Sequence, residues 1–351
     1  MTGKVESLPI LILYPHARCN CRCIMCDIWK STSAAELTAE ALESHIQDIE
    51  RLSVRWVVFS GGEPLMHSDL FRLSELLRAR NIRVSILSTG LLLRRNANNI
   101  VRHIDDVIVS LDGPEQVHDR IRRTAGAFSA LREGVSEIHR LDPAFPISAR
   151  CTVQRANVSY LCETARAARQ LGLISISYLA ADLTSEAFNR PSPWSEAHHA
   201  AVALRPEDIL HLQSEMRQLS SEWAGTGFVL ESAYKLDRII RHFRAHLGLC
   251  EPEAPRCNAP WVSAVVDAEG FVRPCFFHPV IGSLKTHTLY QVLNGFEAQQ
   301  FRSSLRVESN PICRRCVCSL NVIPGKTRRW VESGCKRSQD TYVPHETFTE
   351  P

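Results

Sequence analysis

Apolar and polar positions divide the first half of the chain into two repeating patterns. Six short runs of β-branched and other apolar residues predict buried strands, and segments with apolar residues at helical spacing separate them. The strand-like runs are residues 8–14, 55–59, 83–87, 106–111, 147–153 and 175–179. Strands that alternate with helices in this way are typical of a parallel sheet with crossover helices, so we predict an α/β fold of six βα units.

Beyond residue 180 the pattern becomes irregular. Residues 182–204 have no clear periodicity, and long loops in compact domains are usually functional or disordered. We expect a substrate lid. We expect its adjacent His198 and His199 to be solvated rather than metal-bound. Two helices are predicted next, over residues 206–223 and 232–247, and the basic residues of the second predict a solvated face. The predicted domains are residues 1–205 for the sheet, 206–248 for a helical connection and 249–351 for a cysteine-rich α+β unit.

Composition and charge restrict the classes of partner. The 351 residues include 41 Lys and Arg against 38 Asp and Glu, and this near balance gives no support to nucleic-acid or anionic-membrane binding. No apolar run approaches the ~20 residues of a transmembrane helix, and the short polar N-terminus lacks a signal-peptide core. We therefore expect a cytoplasmic protein with neither a nucleic-acid nor a membrane partner.

Thirteen cysteines in a reducing compartment indicate metal binding rather than disulfides. Eleven of them fall into two groups, at residues 19–26 and 250–335, whereas Cys151 and Cys162 are expected to be small buried hydrophobic residues. The two groups are therefore the candidate metal sites.

The first cysteine group follows directly after the first predicted strand. Cys19, Cys23 and Cys26 have the spacing C-x3-C-x2-C, and Cys21 lies between them. Three thiolates leave one iron of a [4Fe–4S] cluster without a protein ligand, whereas an electron-transfer cluster takes four. An open metal position is what a site needs to bind and activate a ligand. A four-thiolate zinc site that includes Cys21, and an unrelated cysteine-rich loop, are the alternatives.

Residues 60–64 (SGGEP) follow the second predicted strand. Together with the cysteine loop, they resemble the SAM-binding and cluster motifs of the radical SAM enzymes. The resemblance implies a partial (βα)6 barrel in which Cys19, Cys23 and Cys26 hold a [4Fe–4S] cluster. In that family the open iron binds S-adenosylmethionine (SAM), and an electron from the cluster cleaves SAM to methionine and a 5′-deoxyadenosyl radical. This radical abstracts a hydrogen atom from the substrate.

The same resemblance implies a set of SAM-binding residues near the ends of predicted strands. Gly61 and Gly62 lack Cβ atoms, so the backbone can approach a ligand closely. Met25 takes a position that is often aromatic in the family and contacts adenine, and Thr89 stands where asparagine is usual. Arg122 suits a carboxylate but also fits a solvated helix end. The predicted SAM contacts are Met25, Gly61, Gly62, Glu63, Ser88, Thr89, Ser110 and Arg122, with Gln154 and Asn157 as further candidates for SAM or the substrate.

The second cysteine group surrounds a predicted β-hairpin with a glycine in its turn. The hairpin brings Cys257 and Cys275 together, and Cys313-x2-Cys316 supplies a second close pair. Four thiolates hold a fully ligated iron–sulfur cluster or a zinc ion. The pattern resembles the C-terminal auxiliary-cluster domain of radical SAM enzymes, in its long (SPASM) form with two clusters or its short (Twitch) form with one. We predict one auxiliary [4Fe–4S] cluster. The remaining cysteines of this group are Cys250, Cys318 and Cys335, and their spacing does not match that of a second auxiliary cluster.

The function that this resemblance implies is oxidation by radical SAM chemistry. An auxiliary cluster suits oxidation, because it can accept the electron that the substrate radical must lose. We expect a small-molecule substrate, since only about seven residues precede the first predicted strand and leave no room for an N-terminal peptide-recognition domain. A peptide delivered by a partner is the alternative, and a non-enzymatic iron–sulfur or zinc protein is the competing class. The expected electron donor is an external flavodoxin or ferredoxin. The sequence assigns no catalytic acid or base.

Overall fold

One nine-stranded sheet runs through residues 3–190 and 194–322, the part of the chain that the computed structural model describes. The strands are β1 (Ile10–Leu13), β2 (Trp56–Phe59), β3 (Arg83–Ser88), β4 (Asp106–Ser110), β5 (Ile147–Val153), β6 (Ile176–Ala180), β7 (Ser263–Val266), β8 (Phe271–Arg273) and β9 (Gly282–Ser283). Their order is β6-β5-β4-β3-β2-β1-β7-β8-β9, and β6 to β1 are all parallel to their neighbours. This confirms the six predicted strands and the partial (βα)6 barrel.

Helices connect these strands and follow them. Those of the described residues are α1 (Ala39–Ser44), α2 (Ile46–Arg51), α3 (Leu70–Arg78), α4 (Leu93–His103), α5 (Glu115–Arg122), α6 (Ala127–Leu141), α7 (Leu161–Gln170), α8 (Glu196–Val202), α9 (Asp208–Glu222), α10 (Ala233–His246), α11 (Ala259–Val262), α12 (Leu289–Asn294), α13 (Phe296–Ser304) and α14 (Pro311–Arg314), with short 3-10 helices at Ile28–Lys30 and Pro64–Met66. Six of them, α5, α8 and α11 to α14, were not predicted; α8 lies in the segment expected to be a loop. None of the helices described is long and apolar enough to cross a bilayer.

The two faces of the sheet have different surroundings because successive side chains of a strand point to opposite faces. On β5 the odd-numbered positions 147–153 are buried, whereas the even-numbered positions between them are half-buried or exposed. Most buried apolar positions of β1 to β6 pack with the helices in the main core. A smaller apolar cluster lies on the opposite face, which we call the inner face; it contains Ile10, Ile12, Val58 and Val265.

The predicted C-terminal hairpin is present, and it extends the barrel sheet rather than forming a sheet of its own. β7 pairs with β8 in antiparallel register, as the turn residues indicated, and β7 also pairs in parallel with β1. The cysteine-rich segment is therefore bonded directly to the first strand of the barrel. Whether the chain divides at the predicted domain bounds stays a prediction, and residues 323–351 lie outside the described part.

Candidate functional site

The first cysteine group lies on a loop between β1 and α1, at the carboxyl end of the parallel strands. The end of α5 holds this loop in place, because the amides of Arg22 and Ile24 donate to the carbonyls of Arg122 and Ile121, both at 3.1 Å. In this position Cys21 and Cys23 are buried and the two other cysteines of the loop are half-buried. The predicted location at the edge of the sheet is therefore the observed one.

The electrostatics of these thiols depend on burial and on two hydrogen-bond donors. Burial raises the pKa of Cys19 to about 11 and that of Cys26 to about 12. The pKa of Cys23 is lowered instead, first by a hydrogen bond from the Cys21 thiol and then by the neighbouring Arg122 guanidinium. Metal binding releases the protons of such thiols. A set of sulfur donors alone suits an iron–sulfur cluster.

The ligands of a [4Fe–4S] cluster bind different irons, so they need not meet at one point. Within residues 3–190 and 194–322, no three Cys, His, Asp or Glu side chains converge closely enough to hold a single metal ion. The three thiols of the C-x3-C-x2-C frame nevertheless share one short loop. The donors present therefore fit the cluster that the sequence implies, with Cys19, Cys23 and Cys26 as its candidate ligands.

Arg122 is buried at the end of α5, not solvated as the alternative interpretation of its position allowed. Its Nη2 forms an ion pair with Asp112, and its Nη1 donates to the Cys23 sulfur at 3.4 Å. Asp112 also accepts a hydrogen bond from the Thr152 amide at 2.8 Å. The guanidinium thus neutralises a buried carboxylate and supplies positive charge to a candidate cluster ligand; its Nε has no protein partner within the described chain.

Close packing of the chain against itself explains both glycines of the SGGEP segment. A Cβ on Gly61, whose φ is +92°, would lie 2.8 Å from Cγ of the Tyr14 ring, and a Cβ on Gly62 would lie 2.0 Å from the Arg18 carbonyl oxygen. Side chains are excluded at both positions by protein atoms, before any ligand is considered. The segment is therefore held directly against the end of β1 and the cysteine loop.

Glu63 connects the ends of β2 and β3 through its buried carboxylate. It accepts hydrogen bonds from the Leu65 amide at 3.1 Å, from the Ser88 hydroxyl at 3.0 Å and from the Thr89 amide. Thr89 in turn donates its hydroxyl to Asn20 of the cysteine loop at 3.0 Å. Burial raises the pKa of Glu63, although these donors act against the rise. Three predicted SAM contacts are therefore brought together as one internal network that positions the loop.

The other predicted SAM contacts lie in the same region. Met25 is buried in the main core, and Ser110 is the last residue of β4. Asn157 donates to the Asp112 carbonyl at 2.9 Å, so it supports the Asp112 loop. Gln154 is buried, and its Oε1 has no hydrogen-bond partner within residues 3–190 and 194–322. Direct contact of these residues with SAM stays a prediction.

A segment after β6 holds the cysteine loop in place through hydrogen bonds to its carbonyls, a role that was not predicted. Arg190 is buried, forms an ion pair with Asp182 at 2.7 Å and donates to the Met25 carbonyl at 2.9 Å. His198 lies 2.7 Å from the Ile24 carbonyl, so the expectation of a solvated side chain is wrong for this residue. An arginine within an irregular segment has no periodicity that reveals a distant partner, which is why pattern analysis missed it.

The second cysteine group forms its own cluster of thiols. Cys257 and Cys275 influence the pKa values of both Cys313 and Cys316, so the four predicted ligands are neighbours. Burial raises the pKa of Cys313 to about 12. His278, which the sequence did not single out, is buried with its Nε2 3.3 Å from the Cys313 sulfur. The four thiols fit an iron–sulfur cluster.

The other cysteines of this group differ in their surroundings. Cys250 donates its thiol to the Arg241 carbonyl at 3.7 Å, on α10. Cys318 lies close enough to Cys316 to affect its pKa, whereas Cys335 lies outside the described residues. Arg238, on the helix face expected to be solvated, donates instead to the Cys316 carbonyl at 3.2 Å. That the chain holds a single auxiliary cluster stays a prediction.

Aromatic contacts join the two cysteine groups across the inner face. Phe276, next to Cys275, lies 6.1 Å from the Tyr14 ring, and the Tyr14 ring packs against Gly61. Phe276 also stacks on Phe188 at 6.4 Å. A continuous run of contacts thus extends from the glycine segment of one candidate site to the ligands of the other.

Two family models match the chain. The radical SAM superfamily model matches residues 13–174, and a model of an iron–sulfur cluster-binding domain, SPASM, matches residues 257–317. The pre-heme d1 synthase of Dinoroseobacter shibae is 28% identical over 349 residues, which cover 92% of this chain and 81% of that protein. The AdoMet-dependent heme synthase of Methanosarcina barkeri is 28% identical over 164 residues, so the match spans 45% of this chain and less than half, 46%, of that relative.

Solved structures show the same fold at lower identity. Streptococcus suis SuiB bound to S-adenosylmethionine superposes with a TM-score of 0.66 at 12% identity, covering 91% of this chain and 74% of that chain. SuiB bound to its precursor peptide SuiA gives a TM-score of 0.65, again at 12% identity, and covers 90% of this chain and 72% of that chain. At this identity the likeness concerns architecture alone.

Proposed function

Because the chain belongs to the radical SAM superfamily and carries a C-terminal SPASM iron–sulfur domain, we propose that it oxidises a small molecule by radical chemistry. The two domains imply [4Fe–4S] clusters and SAM as cofactors, which confirms that prediction. Cys19, Cys23 and Cys26 would hold the first cluster, which would supply the electron for SAM cleavage and so the radical chemistry of hydrogen abstraction. Cys257, Cys275, Cys313 and Cys316 would hold the auxiliary cluster, which would serve as acceptor for the electron that the substrate loses.

The residues of the chain have distinct roles in this proposal. Cys19, Cys23 and Cys26 hold the first cluster, while the Arg122 guanidinium donates to the Cys23 sulfur and stabilises its negative charge. Glu63 holds the end of β3 next to the glycine segment through its buried hydrogen bonds. These groups position and stabilise the site before any substrate arrives, which lowers the cost of ordering it during the reaction.

The observation that carries the oxidative part of the proposal is the contact between Tyr14 and Phe276. Tyr14 lies against Gly61 of the proposed SAM site, and Phe276 is the neighbour of the proposed auxiliary ligand Cys275. A substrate on the inner face beside these rings would be next to both sites. Such an arrangement suits hydrogen abstraction on one side of the substrate and electron removal on the other.

A small-molecule substrate is favoured by a relative that aligns with 92% of the chain, a pre-heme d1 synthase. A peptide substrate is the second candidate, since the fold of SuiB, whose complex with its precursor peptide is known, covers 90% of this chain. An external flavodoxin or ferredoxin is the proposed electron donor for either substrate.

Loss of the first cluster tests the central step. Replacing Cys19, Cys23 and Cys26 together with alanine should remove about four irons per chain and abolish 5′-deoxyadenosine formation, because these thiolates are the proposed ligands. The control is Cys21→Ala, which removes a hydrogen bond to Cys23 but no proposed ligand and should keep its iron. Formation of 5′-deoxyadenosine by the triple variant under dithionite would show that the assignment is wrong.

Loss of the auxiliary cluster tests the oxidative step. With any accepted substrate, Cys313→Ala combined with Cys316→Ala should lower the oxidised product formed per 5′-deoxyadenosine. Circular dichroism separates this effect from unfolding, since ligand loss also removes metal-coupled folding energy. A folded double variant that forms product at the parent's rate excludes the auxiliary cluster as electron acceptor.

A further inference from the structure

The inner face of the sheet carries an arginine that the proposed SAM and cluster sites do not use. Arg150 lies in the middle of β5, and it is exposed although its neighbours in the strand are buried. The pairing register places it between Ser110 of β4 and Ser177 of β6. Most other charged side chains of this sheet form an ion pair with a side chain of opposite charge, as Arg83 does with Asp106 at 2.8 Å.

The surroundings of Arg150 supply hydroxyl groups rather than a paired carboxylate. Its Nε donates to the Ser177 hydroxyl at 3.3 Å, and within residues 3–190 and 194–322 it forms no ion pair. The charge of Arg150 acts on the carboxyl group of Glu231, which lies nearer the charge of Lys235 and accepts a hydrogen bond from the Tyr178 amide at 2.9 Å, and it also acts on the Cys318 thiol. Burial raises the pKa of Glu231 to about 7, so at neutral pH this group compensates only part of the arginine's charge.

The other half of the inner face is apolar. Ile12, Val58 and Val265 are buried there, and the half-buried rings of Tyr14 and Phe276 pack against them, as do Trp56, Leu87, Leu320 and Val322. The inner face therefore offers a cation with unused donors on β5 and two half-buried aromatic rings over the apolar cluster of β1, β2 and β7. A ligand that satisfies both parts has an anionic group attached to a flat apolar body.

We propose that Arg150 binds a carboxylate of the substrate whose flat apolar body lies against Tyr14 and Phe276. Guanidinium matches carboxylate geometry with two parallel hydrogen bonds, and Arg150 has donors available for both. A single partly compensated cation suits a group of one negative charge better than a phosphate with two. This inference rests on the proposed function, and it assigns the substrate class of that site.

A tetrapyrrole with carboxylate side chains has the required shape and charge, and coproporphyrin III serves as the probe. Its binding to the anaerobically reconstituted protein in the presence of SAM is measured by fluorescence titration. Arg150→Gln should weaken binding about 10- to 100-fold, the effect of losing a charge-assisted hydrogen-bonded contact. Arg150→Lys keeps the charge and should lose less affinity than Arg150→Gln. Arg132→Gln, which changes an exposed arginine of α6, should bind as the parent does.

The uncharged tetramethyl ester of the same porphyrin separates carboxylate recognition from apolar binding. The parent and Arg150→Gln should bind the ester equally, whereas the parent should prefer the acid. The inference is overturned if a folded Arg150→Gln variant binds the acid as tightly as the parent, if the parent does not distinguish acid from ester, or if the parent does not bind the acid. Matching circular dichroism spectra establish that the variants are folded.

Cleavage of SAM by the parent under dithionite tests the proposed function in the same preparation. If SAM is cleaved while Arg150→Gln has no effect on probe binding, the carboxylate assignment fails and the proposed function stands. If Arg150→Gln weakens probe binding while SAM is not cleaved, the binding site stands and the proposed function fails.

Discussion

Replacing Arg122 with methionine probes the most buried electrostatic contact of the proposed site. Methionine keeps most of the side-chain length but removes the ion pair with Asp112 and the hydrogen bond to the Cys23 sulfur. The Asp112 side chain is completely buried, so its carboxylate is left with the Thr152 amide as its remaining donor. The variant therefore contains a buried charge without a compensating partner.

The structure sets the expected magnitude. Removing one partner of a buried ion pair costs about 3–5 kcal/mol, because the remaining charge stays out of water. Natural proteins have a total stability of only about 5–15 kcal/mol, so Arg122→Met should be severely destabilised. Asp112→Asn should also be destabilising, since it leaves a buried guanidinium. The double variant carries neither charge. Its loss of unfolding free energy should therefore be smaller than the sum of the losses in the two single variants, by about 2 kcal/mol or more.

Urea denaturation of the anaerobically reconstituted proteins, followed by circular dichroism, measures these differences. Arg140→Met is the matched control, because Arg140 pairs with Glu137 on the exposed protein surface, where solvent screens the pair and it contributes little to stability. An Arg122→Met variant whose free energy of unfolding is within about 1 kcal/mol of the parent's would show that the buried pair does not contribute as argued. Strict additivity in the double variant would show that the two side chains do not interact as the structure indicates.

Three further outcomes are expected. Anaerobic reconstitution should give about eight irons per chain by iron assay, two clusters of four, whereas about twelve would show a third cluster and about four with one zinc would exclude the auxiliary iron–sulfur cluster. The Gly62→Ala variant should lose iron and stability, because its Cβ would lie 2.0 Å from the Arg18 carbonyl oxygen. Gly225→Ala is the control: Gly225 has open space around it and a φ of +69°, so this variant should lose only about 1–2 kcal/mol of stability and keep its iron. Burial raises the pKa of Glu231 from 4.5 to about 7, so the folded protein binds the extra proton and stability falls as the pH rises through that window. Glu231→Gln should therefore be about 1–2 kcal/mol more stable than the parent at pH 8 and equal to it near pH 4 in urea titrations, and an unchanged pH dependence would contradict this.

Local patterns were sufficient for the architecture of the barrel. The strand of residues 147–153 was predicted with the bounds that the structure has, because a strand's alternation of side chains is visible in neighbouring residues. The same alternation places the polar positions of β5 on one face, which was a usable signal for Arg150. The cysteine spacing is equally local, so both candidate cluster sites were located before the fold was known.

Helix α5 was missed because its eight residues are mostly charged or polar. Its apolar contribution to the core consists of Val117 and Ile121, too few to give a clear helical period. The extension of the barrel sheet by β7 was also not predicted, since the partner of a strand depends on packing between segments more than 200 residues apart.

The chemistry that the chain can support was predictable from the amino-acid sequence, because ligand type and spacing are properties of a short segment. The folded structure, in contrast, establishes which charged groups are neutralised, which are exposed and which hold distant segments together. Arg122 is buried against Asp112 and Cys23, Arg190 reaches the Met25 carbonyl from 165 positions away, and Arg150 faces an uncovered surface. Burial and the identity of a partner depend on how distant segments pack, and a single arginine in a sequence carries no mark of either.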